Sequence, residues 1–423
     1  MLIKFKELLQ QELVSNIIHT YSSRILLIIL GVLNNIILTR YLGVENYGIY
    51  TLALIIIALG TQFGNFGLHA VNIFYVAKRK MLLGMLLKNS ILFSIVSGGI
   101  IGFFVYLLSI IFPKIFDVDP TILLIITVMI PISLMSLFTK SLLIGIGKIK
   151  LDNKISIYTR ILTILLLLLS VYLFGLYVNV ALSIFAIGLV VGLFFILNIL
   201  KNNVRYRYKF SSKLLKKISK FGLKAYISAI FAFLVLKSDL FFVNYYLSKS
   251  ELGYYSLAVS FVDYVLMLPV IIGTILYQKL SSMKNDDEKY KLMKKIRNYF
   301  LIFYIIFLLI IYILSEYIII LLYGNMFYGS IIYFKILLIG TFFYALEIIE
   351  IQYLITTGNS ILIVYYWIIS FLINVLINYI YINSYGLYAV TASTIISYLL
   401  IFLLVRIHIY RKVNNHEYKI YNK

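Results

Sequence analysis

With 423 residues, 62% of them hydrophobic and only 13% charged, this chain carries more apolar surface than a soluble globule can hide from water, which excludes a water-soluble fold. A formal net charge of +22 would suggest nucleic acid in a soluble protein, but the lysines and arginines cluster in short breaks between apolar runs. That pattern reports membrane topology and argues against a nucleic-acid partner. The absence of cysteine removes disulfides, thiolate metal sites and cysteine nucleophiles.

The chain opens with Leu2, Phe5, Leu9 and Leu13 on one helical face and Lys4, Lys6, Glu7, Gln10 and Gln11 turned away, as in a helix lying among lipid headgroups. Residues 1–15 hold no uninterrupted apolar core and no small-residue cleavage site, so no removable signal peptide is expected. Runs long enough to cross about 30 Å of hydrocarbon follow near 17–39, 48–77, 85–112, 121–146, 155–175, 177–200, 221–247, 253–277, 298–322, 330–356, 361–382 and 386–408. The expected fold is an all-α integral membrane protein of twelve transmembrane helices, with a turn at Gly175 separating the fifth and sixth.

Placing both termini in the cytoplasm puts 31 of the 38 Lys and Arg residues on that side: two before Arg24, four in 78–88, four in 140–154, nine in 201–224, seven in 279–297 and five in 406–423. Only Arg40, Lys114 and Lys249 fall outside, and Arg24, Arg160, Lys237 and Lys335 lie within spans. This is the positive-inside bias of a multi-pass protein of the cytoplasmic membrane.

The stretch RYLGVENYGIYTLA, Arg40 to Ala53, returns 205 residues later as YYLSKSELGYYSLA, Tyr245 to Ala258. Tyr41, Leu42, Gly48, Tyr50, Leu52 and Ala53 recur ungapped as Tyr246, Leu247, Gly253, Tyr255, Leu257 and Ala258. The chain is therefore read as a duplication, with lobes at 1–205 and 206–423, each opening on the same hairpin with a glycine available for a tight turn. Phe5, Leu9 and Leu13 return as Phe210, Leu214 and Ile218, which makes the basic linker a second interfacial helix. Six spans per lobe starting in the same direction give parallel repeats.

Polar side chains inside spans cost about 2.5–3.5 kcal/mol for an Arg, Lys or Asp at a helix centre, so each needs a partner or water. In the second span Gln62, Asn65, His69 and Asn72 share one face, and in the eighth Ser256, Ser260, Asp263 and Thr274 form the corresponding stripe. Two readings stay open for the stripes: a cavity lining that meets substrate, or hydrogen bonding between packed helices. Arg24, with Gly31 and Asn35 on its face, and Arg160 at similar depth are candidates for an anion site, against snorkelling to headgroups. Lys237 joins this substrate-binding set. The carboxylates Asp239, Asp263, Glu347 and Glu350 are candidates for ion coupling, against charge pairing with Lys237 or Lys335. Gly145, Gly147 and Lys148 lack the rest of a phosphate loop. No catalytic triad or metal cluster is legible, so no cofactor and no enzymatic chemistry are expected.

NNIILTRYLGVENYGIYTLA and its second-half partner SDLFFVNYYLSKSELGYYSLA resemble the polysaccharide flippases of the Wzx type, in the superfamily that also holds multidrug and toxin extruders. Arg40, Leu42, Gly43, Tyr47, Gly48 and Tyr50 match the motif closing the first hairpin of that family, and Asp239 matches an embedded aspartate of the second half. The resemblance implies a V-shaped, MATE-like pair of homologous six-helix bundles around a central cavity. It implies an undecaprenyl-pyrophosphate-linked oligosaccharide moved from the cytoplasmic to the outer leaflet by alternating access, with membrane lipids and glycan-assembly proteins as partners. The related peptidoglycan-precursor flippases usually carry two further helices. The alternatives are a multidrug exporter of organic cations, which calls for an acidic cavity, and a membrane-embedded glycan polymerase, which calls for a long outer loop with charged residues.

Overall fold

A computed structural model describes residues 2–204, 226–358 and 360–421, with side chains described for 22–204, 226–358 and 361–414. The amphipathic side chains that begin the chain, and their repeat at Phe210, Leu214 and Ile218, lie outside the described residues. Contacts divide the chain into two compact units, Met1–Tyr226 and Ile227–Lys423.

The first unit contains α1 (Leu2–Asn65), α2 (Leu68–Lys78), α3 (Leu83–Ile111), α4 (Pro120–Gly145), α5 (Ile149–Phe174) and α6 (Val178–Asn203). α7 (Tyr226–Lys237) begins on Tyr226, the last residue of the first unit, and the second unit continues with α8 (Asp239–Tyr246), α9 (Lys249–Ser281), α10 (Asp286–Tyr323), α11 (Ser330–Thr356), α12 (Ser360–Tyr385) and α13 (Leu387–Tyr421). Among the described residues ten helical stretches are long and apolar enough to cross a membrane, and α7 with α8 makes an eleventh, bent by 40°. The 44-residue stretch Ser22–Asn65 divides at Gly43, which completes the twelve expected spans. At about 1.5 Å per residue the undivided stretch would be about twice the thickness of the hydrocarbon.

The division at Gly43 is a backbone feature, with φ 74° and ψ 179°, a region closed to residues with a Cβ. Its repeat counterpart is Ser248, where the chain turns by different chemistry. There the Ser248 hydroxyl accepts from the Glu251 amide at 3.2 Å, and Glu251 Oε2 accepts from the Ser248 amide at 3.0 Å. Gly48 and Gly253, the glycines aligned by the repeat, do not turn the chain; both are buried inside helices. Gly175 does separate α5 from α6, as expected.

The apolar run 48–77 is not one continuous helix either. It breaks between α1 and α2 at Phe66 and Gly67, with φ 46° and 73°. Inside hydrocarbon the backbone groups near such a break need new partners. The Ser97 hydroxyl of α3 donates to the Gly64 carbonyl at 2.8 Å, and the Tyr226 hydroxyl donates to the Phe63 carbonyl at 2.5 Å. In the 205-residue register Pro269 of α9 falls on Gly64, so the second span of each half is weakened at the same level, by glycine in one and by proline in the other.

In both units the fourth span is the hub. α4 packs against α1, α2, α3 and α6, and α11 packs against α9, α10 and α13. The last two spans pair in each unit, α5 with α6 and α12 with α13. Close approach in the first unit relies on small residues: a Cβ on Gly98 would lie 2.4 Å from the Pro131 Cα, and one on Gly102 would lie 2.8 Å from the Thr127 carbonyl oxygen.

Candidate functional site

Among the described residues every buried charged side chain belongs to the second unit: Asp239, Lys289, Arg297, Glu347 and Glu350. The bend at Ser238 governs how the first of these is presented. Lys237 ends α7 and Asp239 begins α8, so two charges one residue apart diverge into different surroundings, which a straight helix at that spacing also favours.

Asp239 is 2% exposed and meets only neutral donors. Its Oδ1 accepts from Asn378 Nδ2 at 2.8 Å, and its Oδ2 accepts from the Tyr255 hydroxyl at 3.0 Å and from the Thr394 hydroxyl. Asn378 also donates to Asn374 Oδ1 at 3.2 Å, while the Ser393 hydroxyl donates to Asn378 Oδ1 at 2.7 Å. The hinge residue joins in, with the Ser238 hydroxyl 3.5 Å from Asn374 Oδ1. Neutral donors from α9, α12 and α13 thus converge on one carboxylate of α8 that, among the described residues, no cationic side chain neutralises. Such a group is suited to hold a proton or a small cation. The repeat position in the first half is Asn34, also buried but uncharged.

Sequence reasoning singled out Asp239 but missed its ligands. The signal was present: Ser370, Asn374 and Asn378 recur every fourth residue on α12, and Ser393 and Ser397 do so on α13, all of them buried.

The other carboxylates follow different rules. Asp263 Oδ2 lies 2.6 Å from the Lys237 ammonium, the charge pairing weighed from sequence. Lys335 lies 4.0 Å from Glu316. Glu350 instead accepts from Arg297 at 2.9 Å and from Arg406, two arginines that the charge pattern had counted only as cytoplasmic-side charge. Its Oε2 and the Oε1 of fully buried Glu347 have no hydrogen-bond partner among the described residues. Next to this cluster, Lys289 donates to Asp286 and to the Thr356 carbonyl, both at 3.1 Å, closing the end of α11 against α10.

The first unit contrasts in charge. Arg24 is exposed on α1 and Arg160 half-buried on α5, and neither belongs to an ion pair among the described residues. Asn35 and Gln62 are half-buried. Asn65 pairs with His69 Nδ1 across the helix break, its side-chain atoms 2.7 and 3.0 Å away, and Asn72 donates to Ser90 of α3 at 2.9 Å. The lower part of this stripe therefore ties α2 to α3. On α9 the stripe is also divided: Ser256 is sealed, while Ser260, Asp263 and Thr274 are at least partly open.

A family model described as polysaccharide biosynthesis protein matches residues 37–332. Among solved structures the chain is similar to the lipid II flippase MurJ in an inward closed conformation, with a TM-score of 0.75 at 17% identity, covering 94% of this chain and 87% of that one. It is similar to an inward-facing multidrug resistance transporter of the MATE family, with a TM-score of 0.71 at 15% identity over 93% and 98% of the two chains. A Pyrococcus furiosus transporter of the MOP superfamily, described as having a binding pocket of reversed polarity, gives a TM-score of 0.64 at 15% identity over 93% and 95%. No curated protein matches by sequence. At these identities the likeness establishes the fold, a multi-pass membrane fold shared with MurJ and MATE transporters.

Proposed function

The chain belongs to the polysaccharide biosynthesis protein family, and on that premise we propose that it is a flippase. Its substrate is a lipid-linked oligosaccharide carried on undecaprenyl pyrophosphate, moved from the cytoplasmic to the outer leaflet with both termini in the cytoplasm. The observation that carries this reading is the separation of charge. Among the described residues Arg24 and Arg160 of the first unit belong to no ion pair, which suits a pyrophosphate, whereas the buried carboxylates Asp239, Glu347 and Glu350 lie in the second unit, where Asp263 also pairs with Lys237. Within the first unit Gln62 and Asn35 supply amide groups for sugars, and within the second Ser260 and Thr274 supply hydroxyls and Lys237 a cation.

Asp239 is the coupling site in this scheme, because its partners, two hydroxyls and one amide N–H, are all neutral. Glu350 is structural. A pyrophosphate diester carries about two negative charges, and moving each outward across an inside-negative membrane is favourable by about 2.3 kcal/mol per 100 mV. Voltage thus drives export, and cation binding at Asp239 serves the return of the empty carrier.

The test is flipping in liposomes under a fixed potential, with no proton or sodium gradient. Flipping persists there and falls when the potential is collapsed. A deletion strain should accumulate the lipid-linked oligosaccharide on the inner leaflet. Normal leaflet distribution in that strain, together with export of organic cations by the purified protein, would overturn the reading in favour of a drug exporter.

A further inference from the structure

Lys237 stands at the bend, with its ammonium 2.6 Å from Oδ2 of Asp263, near the middle of the 33-residue α9. Their side chains are 19% and 48% exposed. Ions in the middle of a hydrocarbon-crossing helix are too costly to face lipid, so the open side of this pair faces water. Among the described residues no second hydrogen bond or ion pair holds either group. Glu350 shows the contrasting case in the same unit, with its side chain at 0% exposure and clamped by Arg297 and Arg406. One pair is locked, and the other rests on a single wet contact.

We propose that Lys237 and Asp263 form an anion-exchange site. The Asp263 carboxylate occupies the Lys237 ammonium in the empty carrier, and a phosphate group of the substrate displaces it on loading. An ammonium suits this exchange better than a guanidinium, since it is a compact charge on a flexible stem whose donors reorient freely and hold no fixed bidentate geometry. The exchange keeps Lys237 neutralised in both states. A neutral sugar cannot open the pair, so the pair selects for a charged headgroup before the glycan is read. The flippase reading identifies the anion; the exchange itself rests on the geometry of the pair.

Because the chain has no cysteine, Asp263→Cys introduces a single thiol. In phosphatidylcholine liposomes a membrane-impermeant thiol reagent should modify it about tenfold faster than Leu309→Cys, exposed on the apolar flank of α10. Equal, slow modification would place the pair against lipid and overturn the site. Binding of inorganic pyrophosphate to the full chain in phosphatidylcholine nanodiscs tests the exchange. Asp263→Asn should tighten it about fivefold, the upper end for an open ion pair. Lys237→Ala should weaken it, and adding Asp263→Asn to Lys237→Ala should recover nothing.

An unchanged affinity in Asp263→Asn, or tightening that persists without Lys237, overturns the proposal. Should Asp263→Asn fail to fold, Asp263→Ser carries the same test. Phosphatidylglycerol in the nanodiscs should not compete; competition would make the anion a bulk lipid headgroup and overturn the role in substrate selection. The two readings fail separately. Exchange without flipping of any lipid-linked oligosaccharide defeats the flippase assignment alone, and flipping with an unaltered KM in Asp263→Asn defeats the exchange alone.

Discussion

Arg297 of α10 donates to Glu350 of α11 across 2.9 Å, with Glu350 fully sealed and the Arg297 side chain 10% exposed. Arg406 of α13 reaches the same oxygen, so three helices of the second unit are pinned at one carboxylate. Removing one member leaves a buried charge uncompensated. Glu350→Ala should therefore lower stability by about 3–5 kcal/mol, read as a loss of thermal stability in detergent. Asp263→Ala, which breaks an open pair, should cost less than about 1 kcal/mol. Equal losses in the two variants would show that both pairs are structural.

Asp239→Asn replaces an acceptor of three hydrogen bonds with a group that presents an N–H to one of those donors. Voltage-driven flipping should survive this change while any dependence on proton or sodium concentration disappears. Thr394→Val should weaken that dependence without abolishing it. An ion dependence unchanged in Asp239→Asn would move the coupling site elsewhere.

Arg24→Ala should lower transport by about 10–100-fold, the worth of one charge-assisted contact of about 1.5–3 kcal/mol, with the protein still present in the membrane. Arg24→Lys should recover part of the loss, since a point charge replaces a planar fork. Full activity in Arg24→Ala would show that the side chain only reaches for lipid headgroups.

Gly98 and Gly99 are neighbours on α3 with opposite surroundings. A Cβ at Gly98 collides with the Pro131 backbone, whereas one at Gly99 meets nothing within 4 Å. Gly98→Ala should cost about 1–3 kcal/mol through overpacking, and Gly99→Ala should be neutral or stabilising by up to about 1 kcal/mol through helix propensity. Thermal unfolding of the two variants side by side reads the difference.

Reporter fusions should read out in the cytoplasm near Lys80, Lys150 and Lys284, and outside near Glu45, Asp117, Glu251 and Gly324. The motive is the split of 31 Lys and Arg residues against three. An outer reading at Lys150 or Lys284 would refute the assigned orientation.

What the sequence determined by itself was everything governed by the membrane as a solvent. Twelve apolar runs, the duplication at 205 residues and the short loops all follow from hydrophobic length and repetition, which are local or additive along the chain. The same reasoning found Asp239, because a charge in hydrocarbon is conspicuous wherever it sits. It did not find Asn374, Asn378 and Thr394 around that charge, nor Arg297 and Arg406 around Glu350. Periodicity shows which residues share a face of one helix but not which faces meet, and an arginine near a helix end looks like any other basic residue until a neighbouring helix brings a carboxylate to it. The turns show the same limit. Gly48 and Gly253 were conspicuous because they repeat, yet the chain turns at Gly43 and Ser248, where φ and a capping box decide. Packing also chose between readings that composition left equal. It gave Asp239 neutral donors, Asp263 a single open lysine and Glu350 two arginines, because a buried charge is defined by the groups that tertiary contact places within about 3 Å of it.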